Sequence, residues 1–134
     1  MKKRLFAASV SLLFLATCSS SSEDSRKTLL ELGVIWNGEA FLEQAREGDR
    51  AVLELFLKGG MDVETRDRSG ATALMYAASN GHLEATSLLI EEGAHVNALD
   101  NLGRRALDYA TVHPESGAFK ILASAGALYG TTLQ

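Results

Sequence analysis

The chain has 134 residues, 46% of them hydrophobic and 22% charged, with a formal net charge of −4, which suits one small globular domain with a modest core. Its acidic balance argues against nucleic acid as a partner, because phosphates call for a basic surface. The single cysteine, Cys18, can close no internal disulfide. At the N-terminus Lys2, Lys3 and Arg4 precede an apolar run from Leu5 to Thr17, and a serine-rich stretch follows. Positive, apolar and small-polar segments in that order predict a secretory signal peptide over residues 1–17. The run falls short of the roughly 20 residues that cross a bilayer.

Leu15-Ala16-Thr17-Cys18 resembles the lipobox of bacterial lipoproteins, with Thr17 standing where Gly or Ala is usual. The resemblance implies cleavage before Cys18 and acylation of that residue. A periplasm-facing place in a bacterial envelope follows, and Ser19 in the next position implies the outer membrane. Several acyl chains hold firmly where one binds only marginally. The alternative is cleavage by the ordinary signal peptidase, with the cysteine discarded. Without residues 1–17 the chain keeps ten Lys and Arg against 17 Asp and Glu, a formal −7, which also argues against lying flat on anionic lipid. Residues 18–28 read as the lipidated cysteine and a flexible tether, being small, polar and charged, and residues 29–134 as the folded domain.

A short capping helix is expected around Leu29 to Leu32, with Asn37 as N-cap of the next. From there the sequence repeats itself every 33 residues. Phe41, Ala45, Gly48, Leu55, Gly60 and Val63 fall on Leu74, Ala78, Gly81, Leu88, Gly93 and Val96, and the downstream copy falls into the same register without a gap. The units run over about 34–66, 67–99 and 100–132. In the central unit Ala73–Ser79 is rich in helix formers and ends at Asn80-Gly81, which tolerate a left-handed turn. A second, antiparallel helix is predicted over His82–Glu92, ending at Gly93, with Leu83, Thr86 and Ile90 at helical spacing. Ala94 to Gly103 lacks that periodicity and predicts a hairpin-like excursion. Helices this short are marginal alone, so the copies must stack.

The central unit is similar to the ankyrin repeat at Asp67, Gly70, Thr72, Leu74, Ala77, Ala78, Gly81, His82, Leu88, Leu89, Gly93, Ala94, Val96 and Asn97. The resemblance implies an all-α repeat fold, an ankyrin solenoid of about three helix-turn-helix repeats of 33 residues joined by hairpin-like loops, with more divergent end copies as caps. Ala40, Ala73 and Ala106 stand where the family has Pro, and Leu42, Met75 and Asp108 where it has His. Loss of the histidine removes a tie between neighbouring repeats, so modest stability is expected. Pro114 replaces the inter-helix glycine in the third copy and pushes His113 toward an extended conformation.

Chemistry is sparse. His82, His95 and His113 have no convergent spacing and no second cysteine, so no metal or other cofactor is expected. No phosphate-cradling loop occurs, and Ser79 and Ser87 lack a His–Asp arrangement in sequence, so the chain is not expected to be an enzyme. The family resemblance implies a protein-binding module, expected to be monomeric, that recognises another protein through hairpin tips and the concave face of the first helices. Carried over by position, the partner-binding residues would be Arg46 and Glu47 in the first copy; Arg66, Arg68, Ser69, Ala71, Ser79 and Asn80 in the second; and Leu99, Asn101, Leu102, Arg104, Val112 and His113 after them. Arg66, Arg68, Arg104 and Arg105 cluster at or beside the predicted tips, where guanidinium groups can meet carboxylates in pairs, whereas Asp67 and Asp100 should organise their turns. The alternatives are an envelope immunity or inhibitor protein, a host-directed effector, and a small-ligand binder or enzyme using the concave groove.

Overall fold

A computed structural model describes residues 22–127, and five of its helices start where a capping side chain stands. Helix α1 spans Ser22–Glu31. Asn37 accepts a hydrogen bond from the Ala40 amide at 2.7 Å and opens α2, Gly38–Glu47. Asp49 does the same for the Val52 amide at 3.1 Å and opens α3, Arg50–Lys58. Thr72 caps α4, Ala73–Ser79, and Leu83–Glu91 forms α5. In the third copy the Asp108 carboxylate reaches back to the Arg105 amide at 2.8 Å to start α6, Ala106–Ala110. Ser116 caps α7, Gly117–Ser124. Each cap satisfies an amide left without a partner by the helix geometry.

The predicted helices of the central unit are therefore present, the second starting one residue later and ending one residue earlier than expected. Among the described residues there are no strands, and a single antiparallel bridge joins Arg66 to Thr72. The fold is all-α, as the repeat pattern required.

The first helices α2, α4 and α6 form one packed row, and α1, α3, α5 and α7 form a second row behind it. Alanines at 73, 77, 78, 106 and 110 are buried in the first row, and their small side chains let α4 approach both neighbours closely. Larger residues fill the space between rows, among them Phe41, Leu53, Phe56, Leu74, Leu89, Leu107 and Leu122. One core results, since no helix pair could bury its apolar face alone.

Two expectations need correction. Residues 22–28, read as part of a flexible tether, are helical, and Ser25, Thr28 and Leu29 are buried against the body. The capping helix is consequently longer than Leu29 to Leu32 and begins earlier. It packs on α3, where Arg26 Nε donates to the Gly59 carbonyl at 2.7 Å and its guanidinium lies 4.6 Å from the centre of the Trp36 ring. Trp36 in turn stacks on Phe56 at 5.3 Å, a spacing that suits an offset aromatic pair. Residues 1–21 and 128–134, including the signal-peptide segment, Cys18 and the end of the third copy, lie outside the described residues.

Candidate functional site

The hairpin turns set the geometry of the exposed edge. Asp67 Oδ1 accepts from the amides of Ser69 and Ala71 at 2.8 and 3.0 Å and from the Ser69 hydroxyl at 2.6 Å, while its other oxygen accepts from the Tyr76 hydroxyl. Asp100 repeats the arrangement with the amides of Leu102 and Arg104 at 2.8 and 2.9 Å and the Tyr109 hydroxyl at 2.5 Å. Both aspartates organise turns, as expected from sequence. Burial alone would raise the Asp100 carboxyl. Hydrogen bonds from Tyr109, from the Arg104 and Leu102 amides and from the Arg104 guanidinium outweigh it and hold the pKa at about 2. Burial and the bond to Asp100 push Tyr109 up to about 12. In the second copy the same opposition lowers Asp67, and the bond to that carboxylate raises Tyr76.

The turns are also fastened to one another. The Asn101 amide donates to Ser69 O at 2.9 Å, and Asn101 Nδ2 to Arg68 O at 2.9 Å. Arg66 Nη1 donates to the carbonyls of Gly70 and Leu99 at 3.2 and 2.5 Å. At the far end of the first helices, His82 Nε2 and Asn80 Nδ2 both contact Arg46 O, at 2.9 and 3.2 Å. These bonds tie repeat to repeat at positions other than the three that lack the family's histidine.

The carried-over residues thus separate by what they touch. Arg46, Arg66, Arg68 and Ser69 line one solvent-facing cleft of about 850 Å³ between α2 and the hairpin of the second copy, closed by the Arg66–Thr72 bridge, together with Glu39, Leu42, Glu43, Asp67 and Tyr76. Glu47, Ser79, Asn80, Leu99, Asn101, Leu102, Arg104, Val112 and His113 lie elsewhere. Leu102 and Val112 are strongly exposed, at 76% and 68%, and Leu102 is the residue after Asn101 on the tip bonded to Ser69. Ser79 is half-buried.

Ala71 is a correction: it is 3% exposed and belongs to the core. Arg105, expected at or beside a tip, is 9% exposed. Arg104 stands at the tip but is engaged, pairing with Asp100 at 2.9 Å and lying 4.7 Å from the Tyr109 ring centre. Within the cleft, Arg46 is held by Glu43 at 3.0 Å and lies 4.6 Å from the Tyr76 ring centre. Arg66 is held by carbonyls and forms no ion pair among the described residues. The Arg68 side chain has no hydrogen bond or ion pair among the described residues.

Sequence reasoning missed Tyr76, Glu39 and Glu43 as cleft residues. A signal existed for the tyrosine: Tyr76 and Tyr109 each follow the turn aspartate by nine residues. Among the described residues no cluster of His, Cys, Asp and Glu could hold a metal ion, and no helix is long and apolar enough to cross a membrane.

A family model described as ankyrin repeats, in three copies, matches residues 41–132. Comparison with curated proteins gives no match. Ankyrin repeats are generally modules for protein–protein interaction and are typically non-catalytic.

Proposed function

We propose that this chain, which belongs to the ankyrin-repeat family, is a non-catalytic adaptor, anchored to a bacterial envelope through Cys18, that binds a partner protein with its hairpin tips and concave helix face. The observation that carries the binding role is the convergence of Arg46, Arg66, Arg68 and Ser69 on one open cleft. Guanidinium groups favour a partner surface bearing carboxylates. The anchor rests on the lipobox resemblance and on the three basic residues before the apolar run. Since α1 begins at Ser22, an anchor at Cys18 would leave Ser19, Ser20 and Ser21 as the whole tether, a reach of at most roughly 14 Å. The domain would then work close to the bilayer, in the periplasm and on the outer membrane if Ser19 directs sorting.

The test is capture of partners from gently solubilised envelopes of the native host, with the wild-type chain and an Arg68→Glu/Leu102→Asp variant, alongside the intact mass of each chain. Arg104 is left unchanged, because a carboxylate there would face Asp100 and disturb the turn. A partner retained by wild type alone, on a chain beginning at an acylated Cys18, supports the tethered adaptor. An unmodified chain with no partner sensitive to the tip changes sinks it, and a tight complex with a single envelope toxin or enzyme favours an inhibitor instead.

A further inference from the structure

We infer that the cleft between α2 and the hairpin of the second copy takes an extended peptide segment of the partner that carries one carboxylate next to an apolar side chain. This deepens the protein-binding reading and rests on it. The charges facing the cleft decide the chemistry. Glu43 neutralises Arg46, and Asp67 is enclosed by its own turn and Tyr76. Arg66 is met by main-chain carbonyls, and Arg68 has no side-chain partner among the described residues. The hairpin end of the cleft therefore offers two guanidinium groups that form no ion pair among the described residues, beside the Asp67 carboxylate, whose oxygens are taken up by its own turn and Tyr76. A desolvated carboxylate there gains charge-assisted, paired hydrogen bonds.

Glu39 lines the same cleft and has no ion pair among the described residues. It would repel a second acidic residue, so an acidic tract fits poorly and a lone carboxylate fits well. Beyond the hairpin, Asn101 bonds the next tip to the main chain of Arg68 and Ser69, and the residue after it on that tip is the exposed Leu102. An apolar residue adjoining the acidic one would cover it. The fixed turns supply a preorganised surface, which lowers the ordering cost of binding a flexible segment. The cleft, of about 850 Å³, has the volume of an ordinary ligand site.

The experiment selects short random peptides displayed on phage against the full-length protein and measures the affinity of the enriched sequences. The expected result is peptides sharing one Asp or Glu beside an apolar residue, weakened about tenfold or more by Arg68→Glu, since a charged hydrogen bond is of that order. Replacing the peptide's acidic residue with Lys should recover binding to Arg68→Glu, and Glu39→Gln should tighten the original peptide. Unchanged circular dichroism shows that the variants keep the fold. Enriched peptides without an acidic residue, or indifferent to both Arg68→Glu and Glu39→Gln, overturn the inference. If such peptides are still lost with Leu102→Asp, the tip-binding function stands while the carboxylate cleft falls. Enrichment of no peptide also overturns the inference, and the envelope capture then decides the adaptor role separately.

Discussion

Asp100 shows how a single side chain couples the turn to acid stability. Its side chain is fully buried, and its folded pKa of about 2 lies below the ordinary 3.8. A carboxyl depressed in the folded state contributes stability that is present above the unfolded value and lost as the pH falls through the folded one. The loss should therefore occur between about pH 4 and pH 2, and amount to on the order of 2 kcal/mol from this group. Tyr109 acts at the other end: its raised pKa of about 12 contributes stability present below about pH 10 and lost as the pH climbs toward 12. Urea titrations of wild type and Asp100→Asn across the acid range should show a flatter limb in the variant. An unchanged acid limb would mean that Asp100 is not the group responsible. Ala71 and Arg104 occupy equivalent positions, 33 residues apart, and both amides are drawn to the turn aspartate. Neither consequence was legible from residue type. A small side chain at that position is simply buried, whereas an arginine folds back on the tyrosine and aspartate of its own copy.

The turns between helices divide into those that touch a neighbour and those that do not. Gly48 has φ of +78°, and a Cβ there would come within 2.5 Å of the His82 ring, which itself contacts Arg46 O. Gly103 has φ of +74° with nothing within 4 Å of such a Cβ. Gly103→Ala should cost about 1 kcal/mol, the backbone strain alone. Gly48→Ala adds the displacement of His82 and should cost several kcal/mol, as read from denaturation midpoints; equal losses would remove His82 from the inter-repeat contact. The repeat register was legible because Gly, Ala and Leu recur where the backbone and packing demand them. Helix α1 was not. Its buried positions Ser25, Thr28 and Leu29, followed by Leu32 just past its end, keep helical spacing, but the first two are polar, so the apolar stripe that marks a helix is only half written. Their burial comes from packing on α3, which a local pattern does not contain.

Across the molecule, stability is a sum of weak units and the interfaces between them, so the end of the stack matters as much as its middle. Helix α1 covers α3 at the N-terminal end of the second row, with Leu29 0% and Leu32 2% exposed. If α1 is a cap, Leu29→Ala should destabilise the whole chain by about 2–5 kcal/mol, through lost burial and the cavity left behind. If it were only a tether, the same change would stay within about 0.5 kcal/mol. Chemical denaturation followed by far-ultraviolet circular dichroism separates the two. A large loss shared by all the helices would show that the cap and the repeats unfold as one unit.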